Sequence, residues 1–311
     1  MWLKRCKAYM NEIKKLISID GNTDWIRIKD GDNRAEGKFH HGGDKKIIIF
    51  EPGFPGDAST RLEKLWLDNL LKNGFSVFAT RHVGTIINGL YSETYLNSPE
   101  RQDLARENKE NLLGGKESYT IADWLLEPLV VLKAFASQFE EIYLIGHSFG
   151  GLAIFYSTIE FAKGFPDLSK KIKRLISLAG TTGKIKGGDD PIIKQWLDHL
   201  KLTSISERIN IGDPERNVEI LKDAYVKIHS ESSFVPKSTE IICVMVENDE
   251  LVSPNEADDI MKTLGRGNII LDTKEKADKN SGRLAHDMDN LTPQFVLDLV
   301  DCNWKPMDRR F

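Results

Sequence analysis

Cysteine is scarce. The 311-residue chain holds three, Cys6, Cys243 and Cys302. They lie far apart, their number is odd and no Cys-x-x-Cys pair occurs, so neither a disulfide framework nor a zinc knuckle is supported. Cys243 sits in an apolar run and reads as a buried thiol. An excess of basic charge is also missing. Lys and Arg total 43 against 47 Asp and Glu, a formal net charge of −4, whereas a nucleic-acid surface needs the opposite balance. No run reaches the ~20 apolar residues of a membrane-spanning helix. Met1–Ile19 is interrupted by Lys4, Arg5, Lys7, Lys14 and Lys15, so the apolar stretch of a secretory leader is absent there. These absences predict a cytoplasmic protein with no nucleic-acid partner and no stable insertion in a membrane. Within the same segment, Trp2, Leu3, Cys6, Tyr9, Met10, Ile13, Leu16 and Ile17 recur at helical spacing. That spacing predicts an amphipathic helix packed on its own domain.

What is present is an alternation of strand and helix signals. Asp24–Ile28 and Arg34–His40 read as an antiparallel hairpin joined by Asp30-Gly31-Asp32. Short apolar runs at Lys46–Phe50, Phe75–Thr80, Glu141–Ile145, Ile172–Ala179, Ile241–Val246 and Asn268–Asp272 read as buried parallel strands. Between them lie helical stretches at Ala58–Lys72, Thr120–Phe135, Gly151–Lys163, Glu256–Leu264 and Thr292–Val300. The pattern predicts an α/β fold, a mostly parallel sheet of about eight strands with helices on both faces. Two segments are too long for simple connections. Arg81–Ser118 is irregular and charged. Gly180–Thr239 contains helix-like pieces near Ile192–Leu202 and Val218–His229 and reads as a helical cap. The domain reading is thus a core of residues 1–179 and 240–311 with a cap of residues 180–239.

Ligands on such sheets bind at the carboxyl ends of the strands. There the chain carries Gly146-His147-Ser148-Phe149-Gly150, preceded by the strand Ile142–Ile145 and followed by the apolar helix Leu152–Tyr156. The pattern G-x-S-x-G matches a strand–elbow–helix turn. The turn is so tight that the serine takes a strained conformation and its neighbours must lack side chains, which Gly146 and Gly150 supply. Ser148 then stands at a helix N-terminus, where N–H groups favour negative charge. The alternative is a glycine-rich turn with an idle serine.

With these flanks the chain resembles the α/β-hydrolase superfamily over roughly Lys46 to Val300. A second match is Ile47–Gly56, where the resemblance implies that the N–H of Phe54 joins that of Phe149 as an oxyanion hole. Pro52 stands where the family often has His. A third match, Arg81–Thr85, is weak, and a structural or surface role for His82 is favoured over a place in the pocket. The family order of serine, acid, histidine points to His286 as base, in the loop between Asn268–Asp272 and the last helix. It points to Asp249 as the acid orienting that base, in Glu247-Asn248-Asp249-Glu250-Leu251-Val252-Ser253-Pro254, with Glu247 and Glu250 as substitutes. The resemblance implies hydrolysis of a small or medium carboxylic ester through an acyl-enzyme on Ser148, with neither a metal nor an organic cofactor. Amide or carbon–carbon hydrolysis, acyl transfer, and a non-catalytic ligand-binding role remain as alternatives. No residue signals the substrate.

Two weaker signals are set aside. His40-His41 with Asp44 lacks a third metal ligand and reads as a solvated turn. Gly180-Thr181-Thr182-Gly183-Lys184 is two residues short of a phosphate loop, with Ile185 in place of the required hydroxyl.

Overall fold

The computed structural model describes residues 12–56, 58–82, 121–187, 190–203, 212–273, 276–277 and 284–301. The bulk of the 81–118 insertion, Cys6 and Cys302 lie outside the described residues.

Nine strands form one sheet in the order β1-β2-β3-β5-β4-β6-β7-β8-β9. They span Glu12–Asp20 (β1), Thr23–Asp30 (β2), Asn33–His40 (β3), Lys46–Glu51 (β4), Phe75–Thr80 (β5), Glu141–His147 (β6), Ile172–Leu178 (β7), Glu240–Val246 (β8) and Asn268–Asp272 (β9). From β5 through β4, β6, β7 and β8 to β9 every pairing is parallel. The β1–β2, β2–β3 and β3–β5 pairings are antiparallel. The β2–β3 hairpin forms at the Asp30/Asn33 turn, with Gly31 at φ 62°, a left-handed conformation that suits a residue without Cβ.

One strand more than expected is present, and it corrects the reading of Met1–Ile19. Residues 12–20 form β1, paired in antiparallel register with β2. Ile13, Ile17 and Ile19 are β-branched, a type that favours strands. An open edge at β2 supplies hydrogen bonds that outweigh a weak helical periodicity. Residues 1–11 lie outside the described residues.

Successive strand residues face opposite sides of the sheet, and two hydrophobic cores result. Ile47, Ile49, Ile142, Leu144, Leu175, Ile241, Cys243 and Met245 join one. Ile48, Phe50, Tyr143, Ile145, Ile176, Leu178, Ile242 and Val244 join the other. Helices α1 (Ala58–Lys72) and, near the end of the chain, Pro293–Val300 cover the second core, with Trp66 Nε1 donating to the Leu291 carbonyl at 3.0 Å. The first core is covered by α2 (Ile121–Leu125), α3 (Glu127–Phe135), α4 (Phe149–Gly164), the short α5 (Pro166–Ser169), α6 (Pro191–Leu200), α7 (Pro214–Ser230) and α8 (Asn255–Leu264). The expected single helix Thr120–Phe135 is two helices, and Pro128 in the first turn of α3 explains the restart, because it has no N–H to continue α2. The free Cys243 is buried, as expected. None of the described helices is long and apolar enough to cross a membrane.

His40 is buried rather than solvated and bonds the Thr23 hydroxyl at 3.1 Å. His41 pairs with Asp24 at 2.9 Å. Each histidine thus has its own hydrogen-bond partner, and Asp44 is neither of them.

Candidate active site

Strand β6 runs directly into α4, and Ser148 sits at the junction with φ 53° and ψ −119°. Such a conformation is strained for a residue with a side chain. The surrounding backbone holds it: Ser148 N–H donates to the Leu178 carbonyl at 2.9 Å, and its own carbonyl accepts from Gly151 at 2.9 Å and Thr181 at 3.1 Å. The two glycines of the motif are required by contact. A Cβ on Gly146 would stand 2.2 Å from the Gly150 carbonyl oxygen, and one on Gly150 would stand 2.2 Å from that of Glu51. Both are backbone atoms that cannot step aside. Gly53 is tied to the same point, since a Cβ there would meet Ser148 Cβ at 2.9 Å. The β4 turn therefore lies against the serine.

Asp249 and His286 meet across the loops that follow β8 and β9. His286 Nδ1 lies 2.8 Å from Asp249 Oδ2 and 3.0 Å from Oδ1. The Asp249 side chain is fully buried, and its Oδ1 also accepts from Leu251 and Val252 N–H, both at 2.8 Å. With Nδ1 facing a carboxylate that only accepts, the imidazole carries its proton on Nδ1 and leaves Nε2 as an acceptor. Among the described residues, His286 hydrogen-bonds to Asp249 and not to Ser148. Such bonds often tighten only around a substrate.

Two residues act on His286 from outside the proposed triad. Glu250, one of the two substitute acids considered above, grips backbone instead: its carboxylate accepts the N–H groups of Ala285 and His286, both at 3.3 Å. His147 donates from Nε2 to the His286 carbonyl at 3.0 Å, and the two rings lie 5.0 Å apart. Neither contact was foreseen. The Glu250 position was visible as an acid beside an acid, but a backbone acceptor has no sequence signature.

Aromatic side chains crowd the same end of the sheet. Phe54 lies 5.6 Å from Trp124, 5.7 Å from Trp196 and 5.6 Å from His199, ring centre to ring centre. Phe149 packs against Trp196 at 6.1 Å. Helix α6 thus sets its Trp196 and His199 over the β4 turn. Burial lowers the His199 pKa, and the nearby His286 lowers it further. Both effects favour the neutral form of His199.

His82 is fully buried, so the surface reading of it is corrected. Its Nδ1 meets Glu127 Oε2 at 2.6 Å and lies 3.6 Å from Glu51 Oε1, while Trp124 stacks on its ring at 4.7 Å. Burial, reinforced by the Glu127 charge, raises the Glu51 pKa well above the usual carboxylate range. Glu51 and Glu127 gave no signal in the sequence, one at the end of a strand and the other at a distant helix start.

No protein-family model matches the sequence, and neither does any curated protein. Structural likeness is broad. A bromoperoxidase from Bacillus anthracis superimposes with TM-score 0.52 at 11% identity, over 95% of this chain and 100% of that one. A carboxylesterase of the ammonia-oxidising thaumarchaeon Nitrososphaera gargenis does so with TM-score 0.50 at 13% identity, over 88% and 96% of the two chains. The thioesterase domain of the curacin biosynthetic pathway gives TM-score 0.50 at 12% identity, over 89% and 98%. At these identities the likeness is one of fold.

Proposed function

We propose that this chain, which has the α/β-hydrolase fold, is a serine hydrolase that cleaves a carboxylic ester through an acyl-enzyme on Ser148. The observation that carries the proposal is the Asp249–His286 contact of 2.8 Å, made by loops at the same carboxyl end of the sheet as the strained Ser148. A structural turn has no need of a strained serine, and a loop histidine has no need of a buried carboxylate on its Nδ1.

In the proposed reaction, His286 Nε2 takes the Ser148 proton as Oγ attacks the acyl carbonyl. Asp249 stabilises the imidazolium without taking the proton. The N–H of Phe149, at the start of α4, and that of Phe54, on the turn held against Ser148, donate to the oxyanion. His286 then protonates the leaving alcohol. Water, deprotonated by the same imidazole, attacks the acyl-enzyme and releases the acid. Residues 180–239 serve as a lid, since Trp196 and His199 lie over the β4 turn and would exclude bulk water. The buried free thiol of Cys243 suits a reducing, cytoplasmic setting.

Intact-mass analysis with a serine-directed phosphonate tests the reading. Wild-type protein is expected to gain one adduct and Ser148→Ala none. Absence of an adduct on folded wild type would remove it and favour ligand binding without turnover. An ester series set against amide substrates separates the esterase reading from the peptidase one.

A further inference from the structure

The geometry points to a buried divalent-cation site of the zinc class, formed by Glu51, His82 and Glu127. One ligand atom from each lies within 4.8 Å of the other two. The three side chains come from three separate elements. Glu51 ends β4, His82 follows β5 and Glu127 opens α3. All three residues are buried, at 0%, 2% and 1% exposure.

A histidine paired with one glutamate is a common internal contact. What it leaves unexplained is the second carboxyl. Both oxygens of Glu51 are buried beside the Thr80 hydroxyl and the Glu127 carboxyl, and neither neighbour meets them with the geometry of a hydrogen bond. Buried acceptors of this kind are costly and uncommon. A dication resolves the arrangement: two carboxylates and a neutral imidazole balance its charge, and the unused oxygens acquire a partner. One imidazole nitrogen with carboxylate oxygens suits zinc-class ions better than calcium or magnesium. Donors of a tetrahedral zinc lie about 3.3 Å apart for bonds of about 2.0 Å, so small side-chain rotations close the shell. Thr80 Oγ1 is a further oxygen beside it.

The place of the site sets its role. Glu51 leads into Pro52-Gly53-Phe54, and a Cβ on Gly56 would meet the His82 ring at 3.2 Å. Trp124, stacked on His82, also packs against Phe54. The ion would pin the ends of β4 and β5 and the start of α3 behind the turn that faces Ser148. It takes no part in bond cleavage. The inference is independent of the proposed hydrolase activity.

Its test uses untagged full-length protein. Zinc, manganese and iron are measured by mass spectrometry as isolated, and again after unfolding and refolding with zinc sulfate or with EDTA, because the site is closed in the folded state. Wild type refolded with zinc is expected to hold about one ion per chain and to melt at a higher temperature than protein refolded with EDTA. Glu51→Gln and His82→Asn are expected to hold less than a tenth as much ion and to lose that difference. Wild type without an ion after refolding in zinc would overturn the site, as would equal melting temperatures in zinc and EDTA. So would variants that bind as much as wild type. If neither variant folds, the wild-type arms decide alone.

Discussion

His147, the residue before the strained serine, donates from Nε2 to the carbonyl of His286 at 3.0 Å. The elbow that presents Ser148 is thus tied directly to the loop that presents the proposed base. His147→Phe keeps a planar ring and removes the donor. A net hydrogen bond is worth about 1 kcal/mol. Ester turnover and phosphonate labelling are expected to slow by about fivefold to tenfold, with the melting temperature changed by only a few degrees.

Asp249 and Glu250 are neighbours with different tasks, and substitution separates them. Asp249→Asn is expected to lower kcat by about 10³- to 10⁴-fold, because the amide no longer fixes the Nδ1–H tautomer. Glu250→Gln keeps an oxygen that accepts from the His286 backbone and should stay within a few-fold of wild type. Glu250→Ala should cost about tenfold, as the base loop loses its two backbone bonds. Equal losses for Asp249→Asn and Glu250→Gln in steady-state kinetics would contradict this division.

Gly150→Ala places a Cβ 2.2 Å from the Glu51 carbonyl and 2.7 Å from that of Pro52. Overpacking against backbone costs about 3 kcal/mol or more. The expected outcome is a melting temperature lower by ten degrees or so, or loss of soluble protein. Gly164→Ala, where nothing lies within 4 Å of the added Cβ, is the matched control and should melt close to wild type.

Glu256 imposes a pH dependence on stability. Burial, with Asp249 adding to it, pushes its carboxyl from 4.5 up to about 7, even though it accepts the Gly183 N–H at 3.1 Å. Between those values the folded state keeps a proton that the unfolded chain has released. The contribution is therefore complete below pH 4.5 and declines as pH rises through about 7. The loss amounts to roughly 3 kcal/mol at most. Glu256→Gln keeps the acceptor for Gly183 and should flatten this part of the profile in denaturant titrations between pH 5 and 8. An unchanged slope would show that other groups carry it.

The motif around Ser148 was legible because its chemistry demands particular residues: glycine where a Cβ would strike backbone, serine at the strained position. The β2–β3 hairpin was legible through Gly31 for the same reason. Asp249 and His286 followed from the resemblance to a family that orders serine, acid and histidine in this way, and their side chains do meet. The N-terminal strand was misread, because the choice between helix and strand there rests on an open edge that only the folded sheet provides. Contacts that depend on convergence from distant elements, such as Glu127 on His82 or α6 over Phe54, leave no local pattern. His147 carried no signal of its own in the motif, since its role as a donor is set by where the His286 carbonyl ends up.

The proposed machinery draws on the ends of β4, β6, β8 and β9, which are spread along most of the chain. Contacts of such long range form late and slowly. A nascent polypeptide on the ribosome would therefore stay inert toward a phosphonate until the segment beyond β9 had emerged and docked. The same reagent that identifies Ser148 would then serve as a clock for completion of the fold, with labelling during refolding trailing the recovery of tryptophan fluorescence.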